Sequence, residues 1–234
     1  MTLSIDKNIC IEHQTFVFDK DESRHLVKVL RKKEGDTVFI TNGKGDLFQG
    51  EITLANEKKC TVQIINHQHY KKNRDFCLHI AIAPTKLNDR YEWFLEKAVE
   101  IGIDEITPII CDHSERKIVK IERYNKIIQS AMKQSLQYHL PVLNNAIPLK
   151  QFLRENEATQ KFIAHCENET EKVFLQNSVQ PKGKITVLIG PEGDFSTQEI
   201  TKAKELDYLA VSLGKNRLRT ETAGVYVASL MTVM

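Results

Sequence analysis

The first third of the chain alternates short apolar runs with turn signals. Thr37–Thr41 is β-branched and aromatic, and Asn42–Gly45 behind it is rich in residues that tight turns prefer. Leu47–Leu54 and Cys60–Ile65 resume the alternation. Strands this short and this closely spaced favour a small antiparallel barrel. His67–Asp75 shows no apolar periodicity, and we therefore interpret it as a linker at a domain boundary.

Beyond this linker, predicted strands alternate with predicted helices. Apolar positions recur at helical spacing after Asn88 or Asp89, either of which can cap a helix, and Gly102 stands where a helix C-terminus prefers glycine. Strand, helix and strand at this spacing predict a parallel sheet covered by helices on both faces. The predicted strands are Phe76–Ala83, Glu105–Ile110, Lys161–Cys166, Lys184–Ile189 and Tyr208–Leu213, and further helices are predicted over Ile121–Gln137 and Ala223–Met234.

The segment Gly190–Phe195 forms a glycine-containing turn between a predicted strand and a predicted helix. Ser196 and Glu199 have the spacing of a capping box that opens this helix. Two glycines let the backbone approach a ligand at the carboxyl edge of a parallel sheet. The turn lacks a dinucleotide fingerprint, and Glu192 and Asp194 would repel a pyrophosphate. A ligand here should therefore be neutral or partly cationic, and a plain tight turn remains the alternative.

A second loop, Leu213–Ala223, is dense in charge although it joins two apolar elements. Arg219 and Glu221 flank a predicted helix start at Thr220, where backbone amides favour negative charge. Ordering such a loop costs free energy, which indicates that its charges serve a function. The alternative is a local ion-pair cluster of Arg217, Arg219 and Glu221 beside a capping threonine.

Composition places the chain among ordinary globular proteins. It has 234 residues, 41% of them hydrophobic, and a formal net charge of +2. The five cysteines are too widely spaced for a zinc site or a disulfide framework, and no apolar run is long enough to cross a bilayer. We expect a cytoplasmic protein without membrane contact. Arg24–Lys33 contains five basic and no acidic residues, which indicates either a phosphate-binding patch or a solvated helical face.

Two sequence motifs resemble those of a known family. IGPEGDFS at 189–196 and LGKNRLRTETAG at 213–224 resemble the diagnostic motifs of the RsmE family, the bacterial 16S rRNA uridine N3-methyltransferases of the SPOUT superfamily. The chain departs from the family pattern at Asn216, Arg217 and Gln137. Elsewhere the similarity follows the family's order over nearly the whole chain, through His25–Arg31, Gly35-Asp36, Lys86, Arg90, Glu92, Lys97, Glu100–Gly102, Pro108, Ser114–Arg116, Lys133–Ser135 and Pro141.

The resemblance implies an α/β fold in two domains. A PUA-like RNA-binding β-barrel would cover residues 1–70, and a SPOUT methyltransferase domain would cover residues 74–234. The SPOUT domain would consist of a parallel sheet with a C-terminal trefoil knot, and it would form a homodimer. Ala223–Met234 and Trp93 would then contribute to the dimer interface, with ordinary core packing as the alternative for both.

The resemblance also implies the cofactor, the partner and the residues of the site. S-adenosylmethionine would bind in the knot, and 16S rRNA, within the small ribosomal subunit, would be the partner. For the implied reaction we choose Arg219 as the catalytic cation and Glu221 as the base, with a role in holding Arg219 in place as the alternative for Glu221, and no metal is implied. The implied cofactor-binding residues are His165, Ile189, Gly190, Pro191, Gly193, Leu213, Gly214, Leu218 and Thr222, and the implied RNA-binding residues are Arg24, Lys28, Arg31, Lys86, Arg90 and Arg116.

The implied reaction moves a methyl group to N3 of a uridine in helix 44, in the decoding region of 16S rRNA. Three alternatives stay open at this point. The first is a non-catalytic RNA-binding or ribosome-assembly protein with the same fold. The second is a nucleotide-dependent enzyme of the doubly wound type, which the missing phosphate motifs disfavour. The third is a SPOUT 2′-O-methyltransferase, which the N-terminal motif and the sequence RTET disfavour.

Overall fold

The computed structural model describes residues 2–167 and 172–232, and the chain divides into two compact units. The small unit comprises Met1–Asn73 together with Met132–Leu140. The large unit comprises Arg74–Ala131 and Pro141–Met234.

The small unit is built on a five-stranded sheet whose strands, in spatial order, are β1 (Leu3–Ile5), β3 (Thr37–Thr41), β4 (Asp46–Leu54), β5 (Thr61–His69) and β2 (Thr15–Val17). Pairing is antiparallel except between the first and third strands, which run parallel, so the sheet is mixed and not the purely antiparallel one that the sequence predicted. The first two strands are too short for their pattern to have been recognised. The elements are β1 (Leu3–Ile5), β2 (Thr15–Val17), α1 (Lys20–Arg24), a π-helix (His25–Val29), β3 (Thr37–Thr41), β4 (Asp46–Leu54) and β5 (Thr61–His69).

Strand β5 continues to His69, into the segment that was predicted to be a linker. Its polar end pairs with the start of β4, where Asp46 accepts hydrogen bonds from the side chains of His67 at 3.0 Å and His69 at 2.8 Å. The side chain of Asn42 donates a third bond to the Asp46 carboxylate at 2.6 Å. Burial by itself would raise the pKa of Asp46, but these bonds together lower it to about 2. Side-chain hydrogen bonds thus stabilise a strand end that carries no apolar pattern.

The segment Met132–Leu140 belongs to the small unit although it is distant in sequence. Backbone hydrogen bonds join Gly45 to Tyr138 at 2.9 Å and Leu140 to Gly43 at 2.8 Å. The rings of Tyr138 and Tyr70 lie 4.6 Å apart between centroids. This segment therefore covers the turn between β3 and β4.

The large unit contains an eight-stranded sheet in which every pairing is parallel, as the sequence predicted. The elements are β6 (Phe76–Ile82), α2 (Asn88–Ile101), β7 (Glu105–Ile110), α3 (Ile121–Gln134), β8 (Val142–Leu143), β9 (Ile147–Pro148), α4 (Leu149–Glu155), β10 (Gln160–Ala164), β11 (Val173–Phe174), α5 (Leu175–Ser178), β12 (Gly183–Ile189), α6 (Thr197–Glu205), β13 (Leu209–Ser212) and α7 (Thr220–Thr232). The strand order in the sheet is β11-β13-β10-β12-β6-β7-β8, with β9 also paired to β7.

Helices cover both faces of this sheet. On one face, α4 and α6 bury a cluster that includes Ala81, Ile163 and Leu188. On the other, α2 and α7 pack against each other and α7 also contacts β6 and β12. The contact between the two helices is close because α7 carries Gly224, where a Cβ would lie 2.5 Å from the ring of Phe94. A glycine here lets α7 approach α2.

Several helix ends differ from the prediction. The N-cap of α2 is Leu87, whose apolar side chain cannot make a capping bond, and not Asn88 or Asp89. The side chain of Asn88 instead donates to Glu92 and accepts from Tyr124. Helix α3 ends at Gln134, since Leu136 has a left-handed φ of 55°. Helix α7 begins at Thr220 and is described through Thr232, so the last two residues of the predicted terminal helix lie outside the described residues.

No helix within residues 2–167 and 172–232 is both long and apolar enough to cross a membrane.

Candidate functional site

The turn after β12 has the local structure that its sequence predicted. Ser196 caps α6 through its hydroxyl, which accepts from the backbone N–H of Glu199, and the Glu199 carboxylate accepts from the backbone N–H of Ser196 at 2.9 Å. The carboxylate of Asp194 accepts from the backbone N–H of Cys166 at 2.6 Å. The last of these bonds fixes the turn to the carboxyl end of β10.

The loop after β13 is tied to this turn by two hydrogen bonds. The hydroxyl of Thr220, the first residue of α7, donates to the carbonyl of Gly190 at 2.9 Å, and both residues are buried. The guanidinium of Arg217 donates to the carbonyl of Glu192 at 3.2 Å. The two loops with ligand-binding signals are therefore neighbours, as expected for a parallel sheet whose carboxyl ends share one edge.

A cavity of about 480 Å³ lies between the two loops, which we call the main cavity. Its size falls within the roughly 300–1,000 Å³ that small-molecule sites usually have. The carboxylate of Glu192, in the wall of this cavity, accepts a hydrogen bond from the backbone N–H of Lys86 at 3.0 Å. Seven of the nine predicted cofactor-binding residues line the main cavity, namely His165, Ile189, Gly190, Pro191, Leu213, Gly214 and Leu218.

Gly193 and Thr222 do not line the main cavity. Gly193 packs against His113, whose Cβ would lie 3.1 Å from an added Cβ. The His113 ring also approaches the carbonyls of Gly193 and Asp194, each at 3.1 Å. A side chain added at Gly193 would therefore meet His113 first, and the role of Gly193 in cofactor binding stays a prediction.

A second cavity, of about 680 Å³, adjoins the first and is called the α2 cavity here. Arg217, Leu218 and Arg219 line both cavities. The α2 cavity is also lined by Glu221 and Thr222 of α7 and by Asp89, Arg90 and Trp93 of α2.

Glu221 is buried in the wall of the α2 cavity, with its side chain 8% exposed. The nearest cation is Arg90, whose Nε lies 3.9 Å from Oε1, and Oε2 has no hydrogen-bond partner among the described residues. Arg219 is exposed, and its guanidinium pairs with no residue that the structure describes. These residues do not form the ion-pair cluster that was the alternative for this loop, since Arg217 bonds a carbonyl and Arg219 pairs with none of the described residues.

The predicted RNA-binding cations fall into two groups. Arg24 is the last residue of α1, Lys28 lies within the π-helix, and Arg31 comes two residues after it. All three side chains are exposed and pair with none of the described residues. In the large unit the cations are engaged. Lys86 pairs with Glu115 at 2.9 Å, which raises the pKa of the lysine, and Arg116 donates to the carbonyls of Thr85 and Lys86 at 3.1 and 2.9 Å.

Comparison with known proteins gives a consistent result over the whole chain. The family described as "RNA methyltransferase domain" matches residues 72–232, and "RNA methyltransferase PUA domain" matches residues 18–65. A relative from Borreliella burgdorferi, "Ribosomal RNA small subunit methyltransferase E 2", is 32% identical, over 95% of this chain and 92% of its own length.

Two solved structures share the fold. The "probable rRNA-methyltransferase" of Porphyromonas gingivalis is 38% identical with a TM-score of 0.89, over 97% of this chain and 95% of that one. The "Ribosomal RNA small subunit methyltransferase E" of Neisseria gonorrhoeae, solved "bound to S-adenosyl methionine", is 26% identical with a TM-score of 0.87, over 100% of this chain and 97% of that one. The family patterns, the identities and the fold agree, and the chain belongs to the ribosomal RNA small subunit methyltransferase E (RsmE) family.

Proposed function

We propose that this chain transfers the methyl group of S-adenosylmethionine to N3 of a uridine in helix 44, in the decoding region of 16S rRNA. The observation that carries the proposal is the pair of adjoining cavities, which share Arg217, Leu218 and Arg219. A cofactor in the main cavity and a base in the α2 cavity would meet at this shared wall. The relative from Neisseria gonorrhoeae that binds S-adenosylmethionine supports the choice of cofactor.

The lining of the main cavity suits an adenosyl group. Ile189, Pro191, Leu213 and Leu218 provide an apolar wall for a flat ring system. Gly214 has a φ of 150° and nothing within 4 Å of its Cβ position, so a ligand can approach its backbone. These residues, with Gly190 and His165, would hold the cofactor. When bound, S-adenosylmethionine supplies an electrophilic methyl group on its sulfonium.

Arg219 and Glu221 provide the protein's part of the chemistry. Methylation at N3 requires that the N3 proton leaves, and negative charge then spreads onto the flanking carbonyl oxygens of uracil. Glu221 accepts this proton, since its carboxylate is only weakly paired. The guanidinium of Arg219, which has no partner within residues 2–167 and 172–232, stabilises the charge on a carbonyl oxygen.

The small unit supplies the contacts to the RNA backbone. Arg24, Lys28 and Arg31 are exposed and unpaired among the described residues, which suits cations that bind phosphates. N3 lies on the Watson–Crick edge, so the target uridine must be unpaired or flipped out to reach the α2 cavity.

The chain forms a homodimer, and its C-terminal part forms a trefoil knot. Two observations support these parts of the proposal. The exposed face of α7 carries Tyr226 and no charge among the described residues, which suits an interface. Strand β13 lies between β11 and β10, near one edge of the sheet. Helix α7 follows β13 directly but packs against β6 and β12, so the chain returns from the edge to the middle of the sheet, as the end of a knotted chain would. Sedimentation equilibrium measures the oligomeric state.

The proposal is tested with small ribosomal subunits from a strain that lacks the gene. The subunits are incubated with the purified protein and S-adenosylmethionine carrying a labelled methyl group, and the digested rRNA is analysed by mass spectrometry. We expect the label in 3-methyluridine at a single position. Label on a ribose or on another base contradicts the proposal. A chain that binds no cofactor by calorimetry would instead be the non-catalytic RNA-binding protein.

Arg219→Ala tests the assigned chemistry. Loss of one donor that stabilises developing charge lowers a rate by about 10²–10³-fold, so we expect a fall of this size in the single-turnover rate. Affinities for cofactor and RNA should change much less. Arg219→Lys should restore part of the rate if a point charge suffices. Weak binding together with a normal single-turnover rate would show that Arg219 positions ligands.

A further inference from the structure

Trp93 is the single tryptophan of the chain and lies on α2, where it is 44% exposed. It lines the α2 cavity together with Arg219 and Glu221. An exposed tryptophan in the wall of a polar cavity is a stacking surface for a flat ring, and stacking on an aromatic side chain contributes substantially to the binding of a base. Ordinary core packing does not explain this residue.

The polar groups of the same cavity include both hydrogen-bond donors and an acceptor. The carboxylate of Glu221 is an acceptor, and Arg90, 3.9 Å away, and Arg219 are donors. The imide edge of uracil presents groups that can bond all three, namely the N3–H donor between two carbonyl oxygens. Cytosine has an acceptor at N3, which a carboxylate would repel. Its amino group is a donor, so a guanidinium, which has no acceptor, cannot bond it.

We propose that the α2 cavity selects uracil, with Trp93 stacked on the base and with Arg90, Glu221 and Arg219 bonding its imide edge. This inference rests on the proposed function in one respect, namely that the target base lies beside the main cavity. It assigns base recognition to Arg90 and Trp93, neither of which is needed to hold the cofactor or to move the proton.

A second copy of the chain is the competing occupant of the α2 cavity. The charge of the lining argues against it, because Asp89, Arg90, Arg217, Arg219 and Glu221 all border the cavity. Charged residues are depleted in the cores of protein interfaces. They suit the polar edge of a base, and the three arginines outnumber the two acidic residues, which also favours a ligand that carries a phosphate.

The experiment uses the fluorescence of the full-length protein, since all tryptophan emission comes from Trp93. The protein is titrated with uridine monophosphate, cytidine monophosphate and 3-methyluridine monophosphate, without cofactor. We expect saturable quenching by uridine monophosphate at a concentration at least about tenfold lower than for the other two. Equal affinities for uridine and 3-methyluridine monophosphate, or no quenching by uridine monophosphate, would overturn the inference.

Three variants identify the contacts. Glu221→Gln presents an amide donor and should reduce or reverse the preference for uridine over cytidine monophosphate in the same titration. Trp93→Leu should weaken the binding of uridine monophosphate by about tenfold in calorimetry, whereas Trp93→Phe should retain most of it. An unchanged preference in Glu221→Gln, or equal affinities of Trp93→Leu and Trp93→Phe, would contradict the assigned contacts.

These outcomes separate the inference from the proposed function. Emission that changes with protein concentration and not with uridine monophosphate would mean that a second copy covers Trp93, and the inference would then be wrong even if the chain methylates rRNA. Selective quenching by uridine monophosphate in a chain that transfers no methyl group would support the inference and refute the proposed reaction.

Discussion

Thr220→Val removes the hydrogen bond that joins the two loops of the main cavity. The Thr220 hydroxyl donates to the Gly190 carbonyl at 2.9 Å, and Thr220 is only 5% exposed. Valine has nearly the same shape, so the variant leaves a buried carbonyl without this donor and changes little else. An unsatisfied buried polar group costs about 1–3 kcal/mol, and the difference in helix propensity between threonine and valine is small by comparison.

The expected loss is therefore about 1–3 kcal/mol in the free energy of unfolding. In a chain of this size each kcal/mol lowers the melting temperature by roughly 2–4 °C. Thermal unfolding followed by circular dichroism measures this shift, and calorimetry with S-adenosylmethionine should show weaker binding, since both loops line the main cavity. Thr220→Ser retains the hydroxyl and is the matched control. Wild-type stability and cofactor affinity in Thr220→Val would refute the reasoning.

Three further predictions concern other parts of the molecule. Gly224→Ala should destabilise the protein in urea unfolding, because a Cβ 2.5 Å from the buried ring of Phe94 costs about 1–3 kcal/mol, whereas alanine gains at most about 1 kcal/mol of helix propensity. The double variant Gly224→Ala with Phe94→Leu should lose less stability than the sum of the two single variants, and additive losses would contradict the assigned contact. Replacing Lys28 and Arg31 by alanine should lower the slope of log affinity for RNA against log salt by about 0.7–0.9 per lost contact without changing cofactor affinity, and an unaltered slope would identify a solvated face. Burial raises the pKa of Asp46, but hydrogen bonds from two histidines and an asparagine lower it to about 2, below the value of about 3.9 for an unfolded chain. Its contribution to stability is therefore full above pH 4 and is lost as the pH falls through 2. Asp46→Asn should have a lower free energy of unfolding than the wild type at pH 7, and this difference should narrow in acid. A difference in the free energy of unfolding that does not depend on pH would exclude this explanation.

The sequence by itself determined the features that depend on neighbours along the chain. Strands β3 and β7 have the predicted bounds, the capping box at Ser196 forms, and Gly102 ends α2 with a φ of 110°. The alternation of strands and helices correctly predicted a parallel sheet. Each of these features depends on a local pattern of apolar residues or on a hydrogen bond across a few residues.

The family motifs also identified two loops that lie together. The sequence showed that both segments were unusual, and the resemblance implied that they share a cofactor site. Their hydrogen bond between Thr220 and Gly190 spans thirty residues of sequence. No local pattern predicts such a contact.

Only the tertiary structure decided what the individual charged and aromatic side chains do. Arg116 matched the family pattern of an RNA contact, but its guanidinium bonds the carbonyls of the loop at Thr85. Trp93, expected at a dimer interface or in the core, borders the α2 cavity with Glu221. Long side chains reach whichever partner the fold brings near, and burial and competing hydrogen bonds, which depend on distant segments, determine whether a charge is paired within the protein or left for a ligand.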